Sequence, residues 1–303
     1  MATKSLRIQV PASTSNIGPG FDALGIAVNL ALDVRWVAAE STLVERTGAM
    51  QESLLAVGQD PIVRGMRRAA ILSGKPLPPG KITVSAPFPP GRGLGASGAG
   101  LVAGLMLGAK LVRKELTPEV LLQEAIGLEG NPENAVAALL GGAHWSLRLK
   151  NRWWHSRTET HKDLRFLFVI PPFPLDTARA REVLPRLVSM GDAVAQAQRA
   201  GLLREALKSL EPELLRVAVQ DSLVVAPRLK LLTGVGPMIA FAEKAGALAA
   251  TLSGAGSSVL VLTRRQQVAD LELRLKRRAT RLWGESGMVL RAAVEERGGR
   301  FLT

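Results

Sequence analysis

The stretch from Pro87 to Gly100 (PFPPGRGLGASGAG) places glycines at 91, 93 and 95 and the hydroxyl of Ser97 at the entrance to an apolar segment. Residues of these types in this order suit phosphate binding by the main chain. Glycine lets backbone N–H groups approach an anion with no Cβ in the way. A helix that follows turns its unpaired N–H groups and positive dipole end toward the same point. Two other phosphate loops fit less well. A Walker loop needs Gly-Lys-Ser/Thr at the helix start, but Ala96-Ser97-Gly98 stands there and the segment holds no lysine. Gly93-x-Gly95-x-x-Gly98 matches a dinucleotide fingerprint by letters. Its required acid, Glu115, however, lies in a charged connector with no strand before it.

Two further glycine-bearing loops carry polar groups. Near the start, Pro11 to Gly25 puts the amide of Asn16 and the carboxylate of Asp22 in one bend; late in the chain comes Ser253-Gly254-Ala255-Gly256-Ser257. A third polar cluster, Glu129-Gly-Asn131-Pro-Glu133-Asn134, follows a helical pattern. At about 100° per residue Glu129 shares the face of Leu122, Ala125 and Ile126, an odd place for an unpartnered carboxylate, while Gln123 points to the opposite, solvated face. Several loops of this kind in one small protein suggest a common cleft.

Composition narrows the chemistry. The 303 residues suit one large domain or two ordinary ones, and 47% hydrophobic content is ample for a packed core. With no cysteine there are no disulfides or thiolate metal sites, and a reducing cytoplasm is the expected location. The only histidines, His144, His155 and His161, lie far from the glycine loops, which argues against Ser-His-Asp or histidine-metal chemistry. A net charge of +13 calls for an anionic partner or a solvated basic surface. The densest basic run, Arg274 to Arg281, belongs to a helix with an apolar stripe of Val268, Leu271, Leu275 and Leu282, so its charges face water. Aromatics at 4% with no tyrosine disfavour nucleic-acid stacking, and no apolar run is long enough for a membrane span. No nucleic-acid or membrane partner is expected.

The elements that must position these residues follow from periodicity and punctuation. Strands are predicted over Leu6–Val10, Ile26–Val37, Ile82–Ser85, Ala143–Leu149, Phe166–Ile170, Ala247–Leu252 and Val259–Leu262. Helices are predicted over Ile62–Leu72, Ala96–Val112 and Pro118–Leu128, the last with Thr117 as N-cap and Pro118 at its first position. Lys150 to Arg165 reads as a hairpin or loop, and Leu184–Val225 as helix broken near Gly201 and Pro212. Strands and helices alternate without strict βαβ order, which predicts an α+β fold. The division expected is residues 1–155 and 156–303.

Taken in order along the chain, these motifs resemble those of the GHMP small-molecule kinase superfamily, and within it the homoserine kinases. Pro90 to Gly98 resembles the superfamily loop Pro-x-x-x-Gly-Leu-Gly-Ser-Ser-Ala, with two residues between Pro90 and Gly93 and a further proline at 89, and the branch-specific opening is matched by Ser13 to Gly25. Further matches lie at Glu129–Asn134 with Leu139–Gly142, at Thr177–Pro185, at Asp221–Arg228 and at Ser253–Ser257. The resemblance implies two domains, the first like domain 2 of ribosomal protein S5 and the second a ferredoxin-like α/β sandwich. It implies a cytoplasmic enzyme of threonine biosynthesis that uses ATP and Mg²⁺ to phosphorylate the side-chain hydroxyl of L-homoserine. Another GHMP activity, on mevalonate, shikimate or a sugar, is the alternative.

By the same resemblance, Pro90, Gly91, Arg92, Gly93, Leu94, Gly95, Ala96, Ser97 and Gly98 hold ATP, and Ser97 and Glu129 hold the metal. Asn16, Asp22, Asn134, Thr177, Arg181, Arg228 and Gly254 bind homoserine; Ser97, Glu129, Asp22 and Arg181 form the catalytic set. Asp22 suits an ammonium, and the two arginines suit a carboxylate through their planar forks. Dimerisation is common in such kinases, so a homodimer is expected. Four positions depart from the family pattern: Asn131 replaces a histidine, Glu133 an aspartate, Ala96 the first loop serine, and Pro61 an asparagine often placed against adenine.

Overall fold

A computed structural model of the chain describes residues 5–53 and 55–302. Strands β1 (Ser5–Ser15) and β2 (Leu24–Ala38) form a long antiparallel pair whose register shifts between Pro11 and Ala12. The strand predicted over Leu6–Val10 therefore continues to Ser15. Proline lacks the ladder N–H, but at a register irregularity no partner is lost. Strand β3 (Leu43–Gly48) pairs parallel with β4 (Gly80–Ala86), and helix α1 (Pro61–Ser73) supplies the crossover. Helices α2 (Ala96–Leu111), α3 (Pro118–Glu129) and α4 (Pro132–Leu140) precede the hairpin β5 (Ala143–Leu149) and β6 (Arg152–Thr158), which joins this sheet through β2.

The second sheet begins at β7 (Leu164–Ile170) and is built with β8 (Ala249–Leu252), β9 (Val259–Arg264) and β10 (Met288–Ala292) in the antiparallel order β10-β7-β9-β8. Between β7 and β8 run α5 (Thr177–Glu182), α6 (Met190–Ser209), α7 (Pro212–Ala218), α8 (Val225–Leu229) and α9 (Val235–Lys244); α10 (Val268–Trp283) follows β9. Strand β11 (Arg300–Leu302) follows the second sheet in sequence but returns to pair with β1 in the first sheet. A division after residue 155 falls inside β6. Among the described residues no helix is long and apolar enough to cross a membrane.

Three apolar clusters hold these layers. One joins the first sheet to α1–α4, and one joins the second sheet to α9 and α10. The third is shared, with Ile17, Leu24, Phe88 and Leu94 packing with Phe166, Phe168 and Ile170. Each sheet therefore has a core of its own and the two share a third, so the cleft between them is fixed by side-chain packing.

Several differences from the predicted elements have plain causes. Helix α6 passes through Gly201 unbroken, since a single helix-interior glycine costs only about 1 kcal/mol. The break comes at Leu210, which is left-handed at φ 54°, just before Pro212 opens α7. Gln123 is not solvated: its side-chain oxygen accepts from Trp153 N and its amide donates to Trp153 O, both at 3.1 Å, as a strand partner would. Thr117 caps α3 by accepting from Val120 N, as its spacing predicts.

The cleft also depends on how closely α1 approaches α2. A Cβ at Gly104 would overlap the Ile62 carbonyl group, whereas one at Gly127, on the open side of α3, would meet nothing within 4 Å. Gly104→Ala is expected to cost about 3 kcal/mol by prising the helices apart. Gly127→Ala should instead add about 0.5–1 kcal/mol through helix propensity. Urea unfolding midpoints of the two variants check the contrast.

Candidate active site

The loop between Pro89 and α2 is shaped by the parts of the molecule that take its carbonyls. Gly91 O accepts from Leu175 N at 3.2 Å, Arg92 O from Ser258 N at 3.3 Å, and Leu94 O from Ser13 N at 3.1 Å. Gly93 O accepts from Ser253 Oγ at 2.6 Å. With four successive carbonyls committed, the N–H groups of residues 91–95 are left with no protein acceptor among the described residues. Gly91, Gly93 and Gly95 have φ of 70°, 77° and 67°, with Arg92 and Leu94 between them, and this alternation curls the main chain into an anion-binding nest. Gly95 is also the N-cap of α2 and offers no side-chain cap, so the first-turn N–H groups of that helix open onto the same place.

The other glycine loops close on this nest. Gly254 N donates to Ser15 O at 2.8 Å, and Thr14 Oγ1 lies 2.9 Å from Ser253 Oγ. A Cβ on Gly93 would overlap Ser253 O, and one on Gly95 would overlap Ser13 Oγ, so glycine is required there for closeness as well as for φ. The common cleft expected from the sequence is present. Its lining includes Asn16, Ser97, Glu129, Asn134, Thr177, Arg181, Arg228 and Gly254.

On the nest side of the cleft, Ser97 Oγ donates to Glu129 Oε2 at 2.9 Å. Burial at the end of α3 pushes the Glu129 carboxyl up, while the Ser97 bond and the charge of Arg64 oppose the rise. Asn134 accepts from Ser13 Oγ at 2.9 Å and donates to Glu133 Oε1 at 3.3 Å.

Across the cleft the charged groups are already in contact. Arg181 grips Asp22 with both arms, Nη1 to Oδ2 at 3.0 Å and Nη2 to Oδ1 at 2.6 Å; Nη2 also donates to Asn131 Oδ1 at 2.8 Å. Asp22 is held left-handed at φ 53°, and its N–H donates to Asn16 Oδ1 at 2.8 Å. Arg228 is only 2% exposed and donates to Ala180 O and Gly254 O. Phe21 packs under both guanidinium groups, 5.1 Å from Arg181 and 5.3 Å from Arg228.

Behind the loop lies a second cavity, about 330 Å³ and mostly apolar, lined in part by Leu32, Met50, Pro61, Ile62, Val84 and Pro90. It meets the first cavity at Gly91, Ala96 and Ser97. Arg92 and Gly98 line neither. Arg92 turns its side chain away, and Gly98 packs against Asn134.

Sequence reasoning left out three residues that the site uses. Phe21 lay within the opening motif. Asn131 was noted only as a departure, yet its amide positions Arg181. Glu133 is 2% exposed with Oε2 unpartnered, and it lines the cleft. No local signal marked it: Pro132 sets where α4 starts, but the burial comes from the packing of Glu133 against Gly25 of β2.

Comparison with known proteins shows the family. The GHMP kinases N-terminal domain model matches residues 62–142, and the GHMP kinases C-terminal model matches 186–280. The chain belongs to the GHMP kinase family. Among its curated relatives, the homoserine kinase of Deinococcus radiodurans is 36% identical over 253 residues, spanning 84% of this chain and 82% of the relative. The homoserine kinase of Prochlorococcus marinus is 33% identical, over 99% and 96% of the two chains. A crystal structure of homoserine kinase from Cytophaga hutchinsonii superposes with a TM-score of 0.83 at 24% identity, over 100% of this chain and 98% of that one, and shows the same two-domain fold.

Burial, with help from the charges of Asp22 and Glu129, raises the Glu133 carboxyl to about 7. The folded chain therefore holds this proton where the unfolded chain has released it. The associated stability is complete below about pH 4.5 and is lost as pH rises through about 7, an effect on the order of 3 kcal/mol. Glu133→Gln is expected to match the wild-type melting temperature at pH 4.5 and exceed it at pH 8. Thermal melts of both proteins at the two pH values test this.

Proposed function

We propose that this protein is a homoserine kinase, transferring the γ-phosphoryl group of ATP to the side-chain hydroxyl of L-homoserine to give O-phospho-L-homoserine and ADP. The observation that carries the reading is the position of the nest, between an apolar cavity of nucleoside size and a cleft lined by Glu129, Glu133, Arg181 and Arg228, with Asp22 bonded to Arg181. The similarity to curated homoserine kinases supports the same substrate.

In this reading the nucleoside lies in the apolar cavity and its phosphates cross the loop at Gly91, Ala96 and Ser97. The transition state spreads charge over phosphate oxygens, so N–H groups and a helix dipole fixed beforehand stabilise it without reorganising. The Ser97 hydroxyl and the Glu129 carboxylate are hard oxygen donors 2.9 Å apart, a set that suits magnesium. When bound there with the phosphates, magnesium neutralises their developing charge. Raised by burial, the Glu129 carboxyl gains from a cation beside it.

Homoserine enters as a zwitterion. Its ammonium goes to Asp22 and its carboxylate to Arg181 and Arg228, so each partner of the Asp22–Arg181 pair exchanges one charged neighbour for another. Mevalonate or shikimate would draw the arginines to its carboxylate without bringing the ammonium that compensates Asp22, and a sugar carries neither charge. Asn16 holds Asp22 through its N–H, and Asn131 and Phe21 hold the arginines flat. Asn134, beside Gly95, faces the place where hydroxyl and phosphorus meet.

An ADP-release assay with homoserine, threonine, shikimate and mevalonate tests the reading; turnover with homoserine well above the others is expected. Asp22→Asn should raise the homoserine KM at least tenfold with a smaller change in kcat. Ser97→Ala and Glu129→Gln should instead lower kcat by about 10²-fold or more. A collapse of kcat with an unchanged KM in Asp22→Asn would remove that residue from the ammonium role.

A further inference from the structure

Arg92 is the one charged residue between Pro90 and Gly98, and a guanidinium in a phosphate loop is ordinarily read as a phosphate ligand. Its surroundings say otherwise. The residue is 4% exposed, and its donors are spent on groups away from the cleft. Nε donates to Pro171 O at 3.2 Å, Nη1 to Pro90 O at 3.1 Å, and Nη2 to Pro172 O at 3.0 Å and Glu52 Oε2 at 2.7 Å. Neither cavity is lined by it.

From this geometry we infer that Arg92 is a positioning residue: it touches no nucleotide and instead clamps the phosphate loop to the second sheet on one side and to the nucleoside-cavity wall on the other. The inference rests on the reading of that loop as the ATP site. Three features support it. Gly91 and Gly93 flank Arg92 and have no side chains of their own, so Arg92 supplies the one side chain in those three residues that can add to their carbonyl bonds in anchoring the curl. Pro171 and Pro172 directly follow β7, and Arg92 occupies both of their carbonyls from one planar fork. Glu52 belongs to the turn Ala49–Glu52, whose Met50 lines the apolar cavity. The segment after Pro172 leads to Thr177 and Arg181, so the clamp ties the loop to the start of the substrate-binding strip.

Three variants test the proposal, with the wild-type protein as control. Absence of wild-type turnover with ATP and homoserine speaks against the functional reading, while the comparison among variants speaks to Arg92. A clamp needs the fork rather than the charge. Arg92→Lys and Arg92→Met should therefore be impaired alike, each about 30-fold or more in kcat/KM for ATP, with the homoserine KM within threefold of wild type. A lysine variant within threefold of wild type beside a methionine variant 30-fold down would overturn the proposal, because that is how a phosphate ligand behaves. Unchanged kinetics in both variants would overturn it equally. Glu52 is 54% exposed, so Glu52→Ala is a safe third variant should the arginine variants not fold. It is expected to raise the ATP KM about threefold at an unchanged homoserine KM, and an unchanged ATP KM would overturn the proposal.

Discussion

Four consecutive peptide carbonyls, from Gly91 to Leu94, are taken up by partners that come from three different parts of the chain. A peptide that has given its C=O to a fixed donor on one side must present its N–H on the other, so the polarity of the loop is imposed from outside. Ser13 belongs to the first strand, Leu175 to the segment after β7, and Ser253 and Ser258 to the turn between β8 and β9. Nothing local makes residues 91–95 an anion site; the surrounding fold does. The glycines permit the shape by adopting positive φ and by letting Ser253 and Ser13 approach closer than any Cβ allows.

Charge is handled by the same economy of partners. Arg92, Arg228 and Glu133 are all nearly excluded from solvent, where an unpaired charge would be costly. Arg92 meets carbonyls and Glu52, Arg228 meets two carbonyls and the face of Phe21, and Glu133 keeps its proton to about neutral pH. The net charge of +13 is, by contrast, partly a matter of the surface. On α10, Arg274 pairs with Asp270, and Lys276 and Arg291 both pair with Glu272, all at helix or sheet edges.

Asp22 and Arg181 illustrate how a binding site is held ready without collapsing. Their carboxylate and guanidinium are 159 residues apart in sequence and bonded bidentately. Asn131, Asn16 and Phe21 each restrain one member of the pair, so the side chains keep their orientation whichever charged groups they face. A shared apolar core beneath them sets the distance between the two sheets that supply them.

Read alone, the amino-acid order determined what is local. The Thr117-Pro118 start of α3, the glycine loop leading into α2 and the outward basic face of α10 follow from short-range stereochemistry and helical period. Tertiary structure decided whatever depends on who faces whom. It took β1 past Pro11, paired Gln123 with a strand backbone, carried α6 through Gly201 and returned β11 to the first sheet. It also buried Arg228 and Glu133, which composition alone would leave in water, and turned Arg92 away from the cleft. The reason is that burial and hydrogen-bond partnership belong to pairs of residues far apart in sequence, and no window along the chain contains both members.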